Sequence, residues 1–211
     1  ESGRQRGAGA SVEHSLPGVG NGEAHLKAAL NRGELTADID IDSMKVNTTP
    51  VAPLCLDSRW DFNQQRARIR VINRNTRDSI VRGYYAPASK RYYAEGRFDN
   101  IPAAMLDPML VDIISGTKGV ANAQLEIMGQ GRHANLNGSV DVKDLSTMID
   151  YTKVRYTVPR AKIQVKDNHF IATNIKAYDP ENNSGLLSMD VSLQHLSNIS
   201  YNLRVVPRNM L

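Results

Sequence analysis

Leu187-Ser188-Met189-Asp190-Val191-Ser192-Leu193-Gln194 places an apolar residue at every odd position and a polar one at every even position. The same alternation runs through Ile199-Ser200-Tyr201-Asn202-Leu203-Arg204-Val205. It appears earlier in Ala134, Leu136, Val140 and Val142, separated by Asn135, Asn137, Ser139 and Asp141. Successive side chains on a strand point to opposite faces, so each segment has one apolar face and one wet face. From Gly116 to Val205 the pattern hardly breaks, which predicts a sheet of amphipathic strands. Something has to cover the apolar face of such a sheet.

Composition narrows the setting. The chain has 211 residues, enough for one sizeable core or two small ones. With 41% hydrophobic and 23% charged residues it belongs with ordinary globular chains. The net charge of +4 is mild and acids are interleaved throughout, so no nucleic-acid partner is expected. No apolar run approaches the roughly 18 residues of a membrane span. The opening, Glu1 to Ala10, lacks the apolar core of a signal peptide and reads as an internal piece of something longer. A single cysteine, Cys55, excludes an internal disulfide framework and reads as a small buried hydrophobe.

Residues 1–21, rich in Gly, Ser and Arg, read as a poorly ordered lead-in. A first β segment follows over residues 22–104. It contains the alternating Leu35, Ala37, Ile39 and Ile41, a strand with Trp60 and Phe62, and Arg66, Arg68 and Arg70 opposing Ala67, Ile69 and Val71. Between Pro102 and Ser115 the spacing changes to three and four, with Met105, Leu106, Met109, Leu110, Ile113 and Ile114. Pro108 suits only a first turn, so a short helix is expected over 108–114. A second β segment occupies 105–211, and its plan loosely repeats that of the first.

The chemistry-bearing residues make no catalytic constellation. Asp38, Asp40 and Asp42 lack the glycine and distal glutamate of a calcium loop. The five histidines stand singly, so no metal site and no cofactor are expected. No nucleophile elbow or phosphate loop occurs. The arginine series at 66, 68 and 70 reads first as a solvated outer face and second as a phosphate or head-group contact. Aromatic partners of the kind an RNA-binding sheet uses are missing beside it in the sequence.

Several motifs in the second half, in order, resemble the C-terminal region of the TamB family in its Bacteroidetes-type form, within the AsmA-like bridge proteins. They begin with Leu106-Asp107-Pro108, then a strand from Gly119 through Gly129, then Leu136-Asn137-Gly138-Ser139-Val140-Asp141-Val142. Ile149-Asp150-Tyr151 leads to Arg155-Tyr156-Thr157, followed by Lys166-Asp167-Asn168 and Asn174 to Asp179. Gly185 to Leu193, His195 and Tyr201 to Val205 close the series. The resemblance covers about Met105 to Leu211 and extends to the first half only in general style.

It implies an all-β, elongated, U-shaped sheet, a half-pipe or β-taco with a β-helix-like stack of strands. The family crosses the periplasm of diderm bacteria from an inner-membrane anchor, here outside the fragment, and is implicated in moving phospholipid to the outer membrane. Its inner wall would carry Leu125, Ile127, Leu136, Val140 and Val142, then Ile163 and Val165. Leu187, Met189, Val191 and Leu193 would continue it, with Ile199, Tyr201, Leu203 and Val205. Arg66, Arg68 and Arg70 would meet head groups. No enzymatic step is implied. An alternative is outer-membrane protein assembly with an Omp85-type barrel by strand-edge presentation. Alternation by itself also allows a closed β-sandwich serving as a binding module.

Overall fold

The computed structural model describes residues 8–16, 20–31, 34–46, 49–51, 53–109, 114–194 and 198–208, and resolves the alternation into fourteen strands. They fall into two compact units, Glu1–Gly96 with Met128–Gly131, and Arg97–Ile127 with Arg132–Leu211. The sequence suggested a division at 104/105. It falls earlier because the strand Arg91–Pro102 pairs with its predecessor only as far as Gly96.

In the first unit the strands are β1 (Ala8–Leu16), β2 (Gly20–Asn31), β3 (Glu34–Val46) and β4 (Thr49–Val51), then β5 (Leu54–Asp61), β6 (Arg66–Asn73), β7 (Ser79–Ala86) and β8 (Arg91–Pro102). The order is β1-β2-β3-β5-β6-β7-β8, with β4 paired to β3. The second unit holds β9 (Ile114–Gln130), β10 (His133–Ile149), β11 (Val154–Lys166), β12 (His169–Tyr178), β13 (Ser184–Gln194) and β14 (Asn198–Arg208), neighbours in chain order. Every pairing with a recorded register is antiparallel. In neither unit does the order return on itself. The fold is therefore all-β, and the sheet is open rather than closed on itself.

Two expectations need correction. The lead-in expected over 1–21 contains β1, paired with β2 from Ala8↔Ala28 to Leu16↔Gly20. Its sequence alternates small or apolar residues with polar ones from Ala8 to Leu16, which suits a strand. Residues 1–7 and 17–19 lie outside the described residues. The helix expected over 108–114 is a 3-10 helix at Ala103–Met109; β9 starts at Ile114, and 110–113 lie outside the described residues. Pro108 has no N–H to donate to the preceding turn, so it is found near the end of this short helix rather than inside a longer one. Asp107 fastens this turn to β9 by accepting the Thr117 N–H at 3.1 Å.

Short turns with side-chain caps make the meander possible. Asp167 and Asn168 both have positive φ (51° and 68°), the two-residue hairpin conformation that follows strand twist. Asn168 Oδ1 accepts the Leu136 N–H at 2.7 Å, and its Nδ2 donates to the Ala134 carbonyl at 2.8 Å. Asp61 and Asp179 start their turns in another way. Each carboxylate accepts backbone N–H groups two to four residues ahead.

Candidate functional site

Register decides which side chains share a face. Residues directly opposite in an antiparallel pair lie on the same side. Leu187, Met189, Val191 and Leu193 of β13 oppose Val205, Leu203, Tyr201 and Ile199 of β14. Across β12 the same β13 residues meet Ile175, Ala172 and Phe170. Phe170 opposes Val165, and Val165, Ile163 and Ala161 oppose Gly138, Val140 and Val142 of β10. Ala121, Leu125 and Ile127 alternate along β9, and Ala121 packs in one cluster with Val142, Val158, Ala161, Ala172, Ile175 and Ala177. The expected wall residues of β10 to β14 other than Leu136 are thus brought to one face of the second unit by register, and Leu136 joins through its alternation with Gly138 and Val140. Leu125 and Ile127 join through their alternation with Ala121. Ile199 joins by register alone.

Strict alternation would not have kept that face apolar. In β12 a register shift between Ala172 and Ile175, with Asn174 at φ 55°, returns Ile175 and Ala177 to the side of Phe170 and Ala172. Asp144 has φ 51° opposite Pro159, and beyond it Leu145 and Val158 rejoin the side of Val142 and Ala161. Gly119 makes room: a Cβ there would stand 2.7 Å from the Asp144 carbonyl. The signals for these breaks were an asparagine and a proline, which sequence reasoning treated as ordinary strand residues.

Exposure grades across the face. Val142 and Val165 are 5% and 3% exposed, while Tyr201 and Leu203 are 58% and 49% exposed. Among the described residues of this unit every strand belongs to the one sheet order, with no second layer. The centre is buried and the β14 side is exposed.

The first unit has a corresponding apolar face. Ala37, Ile39 and Ile41 of β3 oppose Ser58, Leu56 and Leu54, and Leu56 and Ser58 oppose Val71 and Ile69. Arg66, Arg68 and Arg70 lie on the other side. They oppose Asp61, Arg59 and Asp57, and Arg68 and Arg70 also oppose Tyr84 and Arg82. A lipid with its tails on the apolar face would have to cross the sheet to place its head group on these arginines.

The aromatic partners missing from the local sequence are present in three dimensions. The Arg66 guanidinium lies 4.8 Å from the Tyr84 ring centroid, and Tyr84 stacks on Tyr93 at 6.1 Å. Arg70 pairs with Asp57, and Arg82 with Glu95. Arg68 pairs with Asp61 at 3.0 Å. The N–H groups of Gln64 and Asn63, with Arg68, hold the Asp61 carboxyl below the ordinary carboxylate range. The Tyr93 hydroxyl at 2.8 Å and Arg82 do the same for Glu95. For a carboxyl lowered by folding, the stabilisation is present above its unfolded pKa and is lost as pH falls through the folded value. NMR titration of Glu95 should give a midpoint below the ordinary value of about 4.3. Tyr93→Phe should move it up, and an unmoved midpoint would show that the hydroxyl contact is absent in solution.

The remaining candidates resolve as structure. Arg74 pairs with Asp42 and stands 3.8 Å from Asp40, so part of the acidic row is neutralised. Cys55 is half-buried on the polar face opposite Asp40, a correction to its expected place among hydrophobes. Burial, then the Asp40 hydrogen bond, raise its thiol pKa. Among the described residues no group of His, Cys, Asp and Glu is arranged to hold a metal ion. No helix among them is long and apolar enough to cross a membrane, which says nothing of crossing by strands. Comparisons with family models, curated proteins and solved structures each return no match.

Proposed function

We propose that the chain is a non-catalytic periplasmic segment of a bridge protein of the TamB type, anchored through its parent in the inner membrane of a diderm bacterium, and that its apolar face carries phospholipid acyl chains toward the outer membrane. One observation supports this reading above the others: an apolar face continuous by register across β10 to β14, with no covering layer among the described residues of its unit. Each methylene sheltered there gains roughly 0.8 kcal/mol, so an acyl tail gains about 10 kcal/mol over exposure to water. The centre of the face (Ala161, Ala172, Ala177) is buried, and the accessible apolar surface lies toward β14, at Tyr201, Leu203 and Val205.

A second reading rests on β14. It pairs with β13, stands last in the strand order, and exposes Tyr201, Leu203, Val205 and Val206. Such an edge suits addition of a strand, as in outer-membrane protein assembly beside an Omp85-type barrel.

A photo-crosslinker separates the two. Placed at Val140, Met189 or Leu203 it should capture phospholipid in cells, while at Asp141 or Asp190 on the opposite face it should not. Equal lipid labelling of both sets removes the conduit, and protein adducts confined to Leu203 favour strand addition.

A further inference from the structure

The polar face of the first unit has a feature that solvation alone does not account for. Arg59 directly opposes Arg68, and Arg70 directly opposes Arg82. Like charges in directly opposed positions destabilise a strand pair unless a counter-charge lies between them. Carboxylates supply that for Arg70 and Arg82. For the pair Arg59 and Arg68 the counter-charge is thinner: Arg68 has Asp61 at 3.0 Å, while Arg59 has only a long 3.7 Å contact from its Nε to Asp57 Oδ1, the carboxylate whose Oδ2 pairs with Arg70. Arg66 has a buried Nε with no hydrogen-bond partner. These five arginines and two carboxylates, Asp57 and Glu95, line a depression of about 640 Å³ that carries a formal +3.

We propose that this depression binds a compact phosphate-bearing anion, held chiefly by Arg59 and Arg66, with Arg68 contributing beside its Asp61 pair. Residues two apart on a strand are about 6.6 Å apart along the backbone and adjacent strands about 4.8 Å, so the long arginine side chains from β5 and β6 can converge on one phosphoryl group. Arg70 and Arg82 are held by their own carboxylates and set the field. Tyr84 and Tyr93 form the floor. Their arrangement disfavours a single-stranded nucleic acid: Arg66 lies over Tyr84, and the two rings stack on each other, so the rings are not free platforms for bases. The site lies on the side opposite the apolar face and stands or falls independently of lipid carriage.

The test uses the full chain with pyrophosphate as probe, followed by calorimetry and by Arg side-chain NMR at low salt. Saturable binding is expected, weakened about tenfold by the double substitution Arg59→Gln and Arg68→Gln. Removing one of two opposed cations should leave the fold intact, and Arg59→Gln alone provides a second variant should the double one unfold. Pyrophosphate should raise the melting temperature of the parent chain more than that of either variant. Vesicles of phosphatidylglycerol that bind where phosphatidylcholine vesicles do not would identify a head group as the source; pyrophosphate binding without vesicle binding would identify a soluble phosphate. Absence of saturable binding, or equal binding by parent and variants, overturns the proposal. So does an oligonucleotide that displaces pyrophosphate and quenches tyrosine fluorescence.

Discussion

Val142→Asp is expected to unfold the second unit, whereas Val191→Asp should leave it folded and abolish lipid capture. The two valines share one face by register but differ in surroundings. Val142 is 5% exposed, opposed by Ala161 and packed with Ala121 and Val158. A carboxylate there would be buried among apolar side chains, and an uncompensated buried charge costs about 3–5 kcal/mol, a large part of the stability of a domain this size. Val191 is half-buried between Phe170 and the exposed Tyr201. A carboxylate there turns to water past β14 at a cost of about 1 kcal/mol, yet it stands where an acyl chain would lie and repels it. Urea unfolding followed by circular dichroism, with native mass spectrometry for bound phospholipid, measures both halves. If both variants unfold alike, something covers the whole face. Should Val191→Asp retain full lipid, Val191 does not face it.

Gly138→Ala is expected to lose about 2–4 kcal/mol of stability, an unusually large effect for adding one methyl group. Gly138 has φ 141°, a conformation L side chains rarely adopt, and an ideal Cβ would stand 2.1 Å from the Gln124 carbonyl oxygen and 2.9 Å from Leu125 Cα. Both are backbone atoms of β9, so nothing yields unless strand pairing itself shifts. Gly131 is the internal control. Its φ is 60°, but a Cβ there meets nothing within 4 Å, so Gly131→Ala should cost only about 1 kcal/mol of conformational strain. Denaturant unfolding of the two variants side by side reads the difference directly. Equal losses would mean that β9 does not approach β10 as closely at Gly138 as the structure places it.

How much of this was legible beforehand depends on how local each feature is. The strands were legible because alternation is a property of neighbouring residues: Leu187 to Leu193 and Ile199 to Val205 declare an apolar face without reference to anything else. The segment Lys166-Asp167-Asn168 was noted only as a motif of the resemblance, and the structure makes it a turn with positive φ at Asp167 and Asn168. The arginine row was visible too, but its surroundings were not. Tyr84 lies 16 residues from Arg68 and Tyr93 a further nine, and only β6-β7-β8 pairing sets them beside the guanidinium groups. The segment around Pro108 was legible only in part. Apolar spacing of three and four argued for a helix starting at Pro108, and the structure has a 3-10 helix ending at Met109 instead.

The sequence by itself determined that the chain is β, that its strands are amphipathic, and roughly where most of them turn. The tertiary structure decided whether all the apolar faces lie on one side. Strict alternation would have turned Ile175 and Ala177 away from Ala172, and Leu145 away from Val142. The bulge at Asn174 and the paired irregularity of Asp144 and Pro159 reverse that, each at a position where the strand departs from regular pairing with its neighbour. Alternation is set by the covalent geometry of one strand. A change of face is set by hydrogen bonding to another, and which strand lies alongside cannot be read from either one alone.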